Sequence, residues 1–409
     1  MAALEPGRTL DGRVGSQEST WSCIWPQPAT QEGNGSEPSV RYGHAALLHK
    51  RSMVVTHGYY HSSKFASCFQ SDTWAFDVDT HEWLRLLESS TSVPTARFEH
   101  AIATDGEFMY MFGGTDGGAR LNGGKTFLFG PQAEMNDLWR VNLNAPEQWE
   151  DVSGEESSRP EARCEHGLVW ASGKLWLFGG LQGDESGTAD GLRAAGDLWS
   201  WCEGEGWREH ANPAPGPRYG HACVSSCRSG SLTRDTEGFF VVGGRQRNKR
   251  EREIIDEVWW ADASSGTVIW QALATPSSTI PSWAPRFHFA ACAFETMSHA
   301  SARGGLIVYG GNVSTGLLRL PVDGAVYRDD EAEIGEEGNQ ASGWVPLSVE
   351  GPVDPDGQVH PYGRVHATVV LVPPNTTESS PRLLIFGGES TRPYMYHASV
   401  WEARLSQPL

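Results

Sequence analysis

One motif recurs six times along this 409-residue chain, and it limits the possible folds more than any other feature. Each copy opens with a segment similar to Arg-x-(Gly/Glu)-His, continues into an apolar run that ends at two glycines (His57 and Gly58 in copy one), and closes with an Asp-Leu-Trp-like segment and a separate tryptophan. The spacing between opening arginines ranges from 55 residues (Arg163 to Arg218) to 78 residues (Arg286 to Arg364). This order and period predict repeated four-stranded units with loops of variable length. The opening arginines are Arg41, Arg97, Arg163, Arg218, Arg286 and Arg364.

The apolar runs before the glycines indicate strands that are buried on both faces. Residues 239–242, 306–309 and 383–386 are bulky and show no polar alternation. The 47 glycines and a charged fraction of 20% favour short strands and tight turns over helices. We therefore expect an all-β propeller, with a flexible segment at residues 1–19 and a single domain over residues 20–409. The predicted blades are 41–83, 97–149, 163–207, 218–270, 286–344 and 364–405, the last completed by 21–25.

The last blade depends on that N-terminal segment. Copy six ends in a third strand near Trp401 with no room for a fourth, while Trp21 to Trp25 precede the first copy as a closing strand would. Pairing of the two would join the chain ends and remove exposed sheet edges. In copy five the third strand is either 317–322 or 325–328.

These copies resemble kelch repeats, and residues 20–405 resemble a six-bladed kelch propeller of the stand-alone type. The resemblance implies a structural role for the repeated arginines and histidines, which tie neighbouring strands and loops together. Copy six is interpreted as a shortened segment, 363–366, with His366 at the histidine position. The glycine pairs are expected where backbones approach closely near the axis. The predicted structural positions are Arg41, His44, Arg97, His100, Gly113, Gly114, Arg163, His166, Gly179, Gly180, Arg218, His221, Gly243, Gly244, Gly310, Gly311, Gly387 and Gly388.

Two glutamates, Glu99 and Glu165, replace glycine in adjacent copies. They suggest an acid/base pair, a cation site or, as we favour, pairing with Arg97 and Arg163. The motifs of the two enzyme classes that use related propellers, the galactose oxidases and the iron-dependent plant specifier proteins, are missing. We therefore predict no catalytic residue, metal or cofactor. A metal-dependent enzyme with a site at the axial mouth is the alternative.

Binding specificity is expected in the loops that follow the glycines, because loops carry recognition on a rigid scaffold. Tyr59 and Tyr60 are predicted as apolar anchors, and Arg245, Arg247, Lys249 and Arg250 as a cationic site for an acidic peptide, a carboxyl terminus or a phosphorylated residue.

The net charge of −19 argues against general nucleic-acid binding, and no apolar run is long enough to cross a membrane. We expect a monomeric cytoplasmic or nuclear protein that binds a protein or peptide, as an adaptor or as the substrate receptor of a ubiquitin ligase.

Overall fold

The fold is an all-β propeller. The computed structural model describes residues 19–25, 35–61, 67–87, 93–116, 134–183, 191–211, 214–225, 238–247, 252–255, 257–273, 287–294, 305–311, 325–328, 343–346, 349–350, 364–375, 378, 380–391 and 394–405. Within this part of the chain, a 3-10 turn lies at Glu156–Ser158. No helix among these residues is both long enough and apolar enough to cross a membrane.

The first half of the chain forms β1 (Ser19–Trp25) and three antiparallel sheets, each made of four consecutive strands. Sheet 1 contains β2 (Ala45–His49), β3 (Ser52–His61), β4 (Ser67–Asp77) and β5 (Trp83–Leu87). Sheet 2 contains β6 (Ala101–Thr104), β7 (Phe108–Phe112), β8 (Leu138–Asn142) and β9 (Glu150–Asp151). Sheet 3 contains β10 (Gly167–Ala171), β11 (Lys174–Gln182), β12 (Arg193–Cys202) and β13 (Gly206–His210).

The second half continues this meander and adds two small hairpins. Sheet 4 contains β14 (Ala222–Ser225), β15 (Gly238–Val242), β18 (Val258–Asp262) and β19 (Ile269–Ala272), with the hairpin β16 (Arg245–Arg247) and β17 (Arg252–Ile254) inserted. Sheet 5 contains β20 (Ala290–Phe294), β21 (Gly305–Tyr309), β22 (Ala325–Arg328) and β23 (Gly343–Pro346). Of the two alternatives for the third strand of copy five, the structure therefore has the second.

Sheet 6 combines both ends of the described chain. It contains β25 (Thr368–Val372), β26 (Arg382–Phe386), β29 (Val400–Arg404), then β1 and β24 (Val349–Glu350), and the hairpin β27 (Glu389–Thr391) and β28 (Tyr394–Tyr396) extends from it. The predicted pairing of the N-terminal segment is present, since β1 runs antiparallel to β29 with Trp21 opposite Ala403.

Neighbouring sheets pack through aromatic side chains of their outermost strands. Trp207 of sheet 3 contacts Phe112 of sheet 2 with ring centroids 5.1 Å apart, and Trp83 of sheet 1 contacts Phe386 of sheet 6 at 5.2 Å. Each large ring buries on the order of 200 Å² and excludes water between the layers. Trp83 and Trp207, each on the fourth strand of its sheet, therefore pack between sheets.

The glycine pair of sheet 3 shows why two residues without a side chain follow the second strand. Gly179 and Gly180 have φ angles of +64° and +108°. A Cβ on Gly179 would lie 2.7 Å from the carbonyl oxygen of Arg218 in the next sheet, and one on Gly180 would lie 2.7 Å from Cβ of His166 in its own sheet. The pair therefore lets two backbones meet, in a conformation that other residues rarely adopt.

Candidate functional site at the axis

Four of the repeated arginines are each held by a carboxylate of their own sheet. The Arg163 guanidinium donates through Nη1 to the Gly179 carbonyl oxygen at 3.0 Å and to Asp197 Oδ1 at 2.7 Å, and through Nη2 to Asp197 Oδ2 at 2.8 Å. Trp199 Nε1 donates to the same carboxylate at 2.7 Å. The equivalent pairs are Arg41 with Asp72, Arg97 with Asp137, and Arg218 with Glu257, while Arg364 contacts the Ser399 hydroxyl.

This geometry shows that the expected pairing of Glu99 and Glu165 with Arg97 and Arg163 is wrong. Both arginines are saturated by acids that lie two residues before a strand tryptophan. That Asp-x-Trp spacing, visible in copies one to three, was the signal for the true partner.

The repeated histidines pack between sheets. His166 meets the edge of Phe112 with centroids 5.4 Å apart, and His221 meets Phe178 at the same distance. His44 packs on Phe386 in the same way, and its Nε2 lies 3.0 Å from Thr368 Oγ1. Burial and, secondarily, a nearby arginine lower the pKa of His44 and of His166 to about 3. These rings are therefore neutral in the folded protein at neutral pH.

Acidification is expected to destabilise the fold because of these histidines. Their folded-state pKa lies below the unfolded value near 6.5, so from about pH 6.5 down to about pH 3 the unfolded chain binds the extra protons. Each such histidine then removes about 1.4 kcal/mol of unfolding free energy per pH unit. Phe289 takes the same position in sheet 5, so the fold accepts a phenyl ring there. The variant His166→Phe should therefore show a shallower decline of Tm than the wild type between pH 6.5 and 4.5. Parallel Tm profiles for the variant and the wild type would contradict the assignment.

The third residues of the six opening segments, called the axial ring, line one cavity. Backbone amides run in sequence from Glu99 N to Gly43 O (2.7 Å), Glu165 N to Glu99 O (3.0 Å) and onward to the next sheets. All six members have a positive φ angle, between +52° and +61°. The cavity that the ring and the fourth residues surround has a volume of about 160 Å³. The ring consists of Gly43, Glu99, Glu165, Gly220, His288 and His366.

This ring corrects the alignment of copy six. The second glycine marks the histidine position, because its Cβ would meet that residue: His44 for Gly58, Phe289 for Gly311 and Ala367 for Gly388. His366 therefore occupies the third position, not the position of His44, and copy six is not shortened. Sequence reasoning missed His288 and His366 as axial residues, although each lies two residues after its arginine, as Glu99 lies two residues after Arg97.

Two carboxylates, two imidazoles and a thiol gather at the axis. His288 Nε2 lies 2.5 Å from Glu165 Oε2, and His366 Nδ1 lies 3.8 Å from Glu99 Oε1. The two imidazole rings are 4.0 Å apart between centroids. One ligand atom each from Glu99, Cys164 and Glu165 lies within 4.8 Å of the others. Burial and then the Glu165 charge raise the pKa of Glu99, and burial and then the Glu99 charge raise the pKa of the Cys164 thiol.

Hairpins start next to the opening segments that line the cavity. Backbone bridges join five of the opening segments to the residue that follows their glycines, as between Tyr219 and Arg245 or between Val365 and Glu389. The hairpins β16–β17 and β27–β28 start at these bridges, and β3–β4 and β11–β12 run on past their glycines in the same way. The loops predicted to carry recognition therefore begin at the ring.

The predicted binding residues fall in different environments. Tyr59 is fully buried and Tyr60 is 4% exposed, because β3 continues through Gly58 into the hairpin with β4. Their expected exposure in a loop is therefore wrong: Tyr59 packs between Tyr42 and Phe98. The Arg245 guanidinium is half-buried and lies 4.5 Å from the centroid of the Phe287 ring.

The structure describes little of the other three residues of the predicted cationic site. Arg247 ends β16, and its side chain lies outside the described part of the structure. Lys249 and Arg250, like the opening Arg286, lie outside the described residues altogether.

Consecutive four-stranded meanders whose first strands are neighbours around one cavity define a β-propeller protein. Residues 17–225 match the family model described as the KLHDC2/KLHL20/DRC7 Kelch-repeats domain. The chain belongs to the kelch-repeat family.

Its relatives share part of this sequence. The Drosophila melanogaster protein named leucine-zipper-like transcriptional regulator 1 homolog is 28% identical over 235 residues, 52% of this chain and 20% of that protein. Kelch domain-containing protein 3 of Rattus norvegicus is 27% identical over 202 residues, 48% of this chain and 47% of that protein. Each match thus spans less than two thirds of the relative. The solved structure of YjhT covers 92% of this chain, and this chain covers 96% of YjhT, with a TM-score of 0.57 and 15% identity, which shows likeness of fold alone.

Proposed function

We propose that this chain is a protein-interaction module whose hairpin-bearing end binds a peptide or a surface segment of a partner protein. The observation that carries the proposal is the extension of four hairpins past the glycine pairs at one end, beside an axial cavity. Kelch-repeat relatives favour the same class. In this proposal the module serves as an adaptor or as the substrate receptor of a ubiquitin ligase.

The proposal includes a closed ring of six blades. Its support is the packing of sheet 6 on sheet 1: Gly388 N donates to the Arg41 carbonyl oxygen at 2.9 Å, as Gly180 N does to Arg218 O at 2.8 Å between sheets 3 and 4. Strand β25 also contacts β2, as β2 contacts β6. A closed ring has no exposed inner edge and holds its loops rigidly, which lowers the entropic cost of binding.

An acidic partner segment is the binding chemistry that the cationic hairpin favours. Residues 245–252 contain five arginines or lysines in a chain of net charge −19. Arginine donors bind carboxylates and phosphates in bidentate geometry, and stacking on Phe287 preorganises the Arg245 guanidinium.

Charge reversal of this hairpin tests the proposal. The variant Arg245→Glu, Arg247→Glu and Arg250→Glu is expected to weaken binding of a captured partner by about 100-fold, because several charge-assisted hydrogen bonds become repulsive. The measurement is quantitative affinity capture with the full chain, followed by titration with the purified partner at two salt concentrations. Arg208→Glu on the outermost strand of sheet 3 is the control and should bind as the wild type does. Equal affinity of the triple variant and the control would remove the cationic hairpin from the proposal.

A further inference from the structure

Four positions of the axial ring hold residues that the fold does not require. The φ angles are +56° at Glu99, +54° at Glu165, +56° at His288 and +52° at His366, in the left-handed region that costs free energy for any residue with a Cβ. Sheets 1 and 4 place Gly43 and Gly220 at the equivalent positions. The fold therefore accepts glycine there, and the strain at the other four positions points to a role for their side chains.

All four of these side chains belong to metal-ligating residue types, and a cysteine lies beside them. Glu99, Cys164 and Glu165 already present ligand atoms within 4.8 Å of one another. His288 Nε2 lies 2.5 Å from Glu165 Oε2, so this imidazole lies next to the three-residue group. In a tetrahedral site with bonds of about 2.0–2.3 Å the ligand atoms lie about 3.3–3.8 Å apart. Ion binding therefore requires that the three-residue group contract and that His288 and Glu165 move slightly apart.

One oxygen of the Glu99 side chain lacks a partner within the described part of the chain. The side chain is 7% exposed, and Oε2 has no hydrogen-bond partner among the described residues. The arginines of its own and the next sheet are bonded to Asp137 and Asp197. A buried carboxylate oxygen without a partner is destabilising, and a bound cation would satisfy it.

We propose that Glu99, Cys164, Glu165 and His288 bind one divalent transition-metal ion at the axis of the propeller. Two carboxylates, one thiolate and one imidazole form a four-ligand set that suits Zn²⁺ and similar ions. Calcium and magnesium fit poorly, because they take six or more oxygen ligands and do not select a thiolate. The ion lies at the end of the cavity where the hairpins begin. This inference concerns the axial side chains alone and does not depend on the proposed partner.

The test uses the purified full chain with Zn²⁺ as the probe. The wild type is expected to bind about one ion per chain in competition with a chelating indicator. The double variant Glu99→Gly and Glu165→Gly is expected to bind about 100-fold more weakly or worse, because two ligands are lost. Glycine is the matched replacement because the fold itself uses it at Gly43 and Gly220, so the Tm of the metal-free variant should equal or exceed that of the wild type.

A spectroscopic arm identifies the thiolate. Substitution of Co²⁺ should produce a sulfur-to-metal charge-transfer band in the near ultraviolet that Cys164→Ser abolishes. Cys202→Ser, a half-buried cysteine on β12, is the control and should keep the band. Failure of the wild type to retain stoichiometric Zn²⁺, or equal affinity in the double glycine variant, would overturn the proposal.

Discussion

A chain that begins at residue 26 is expected to melt at a markedly lower temperature and over a broader range than the full chain. Removal of β1 takes away the neighbour of β29 and leaves an unpaired strand edge. It also removes Trp21, which is 7% exposed and packs on Tyr309 of sheet 5 with ring centroids 5.9 Å apart. Loss of one buried tryptophan side chain typically costs about 3–5 kcal/mol, and loss of a paired strand adds to this.

Point variants separate the packing contribution from the strand contribution. Trp21→Ala is expected to lower the free energy of unfolding by about 3–5 kcal/mol in urea titrations, with the strand still present. Ser22→Ala is the matched control, because Ser22 is the next residue of β1 and is exposed, and it should change stability by less than about 0.5 kcal/mol. A truncated chain that melts as cooperatively as the full chain would show that the N-terminal strand is dispensable and would contradict ring closure.

Replacement of one repeated arginine should be about as damaging as loss of Trp21. Arg163→Ala removes a fully buried guanidinium that bonds the Gly179 carbonyl and both oxygens of Asp197. Breaking a buried ion pair by removing one partner leaves the other charge uncompensated and costs about 3–5 kcal/mol. Asp197 is 26% exposed, so water relieves part of this penalty and the lower half of the range is expected. The measurement is urea-induced unfolding followed by tryptophan fluorescence.

Two further variants sharpen this prediction. Arg163→Lys keeps the charge but loses the bidentate geometry. It should recover less than half of the unfolding free energy that Arg163→Ala loses. Arg193→Ala removes an exposed arginine of the same sheet that pairs with Glu161, and should cost less than about 1 kcal/mol. If Arg163→Ala were as mild as Arg193→Ala, the buried network would not hold the second and third strands together.

Features that depend on residue order within one repeat were open to prediction from the sequence. The strand pattern, the glycine pairs, the closing tryptophans and the N-terminal strand that pairs with β29 all follow from the spacing of residues along the chain. Repeats reveal these features because each copy meets the same local packing requirement, and the same residue types therefore recur.

Side-chain partners between distant residues were harder to predict. Arg163 and Asp197 are 34 residues apart, and without strand register Glu165 is the obvious partner. A glycine precedes Tyr59 and suggests a loop, yet the hairpin continues and buries this residue. In both cases the deciding contact crosses between strands, where sequence distance is a poor guide.

The sequence by itself determined the repeated all-β architecture, because every copy repeats the same pattern of buried residues and of glycines where backbones approach closely. Only the tertiary structure decided where the irregular residues meet. Glu99, Cys164, Glu165, His288 and His366 are spread over 268 residues of sequence, from 99 to 366 inclusive, and converge only when four sheets surround one axis. The axis brings together the same position of different copies. The chemistry there therefore depends on which residue each copy carries at that position, and the alignment of the copies that identifies the position is supplied by the fold alone.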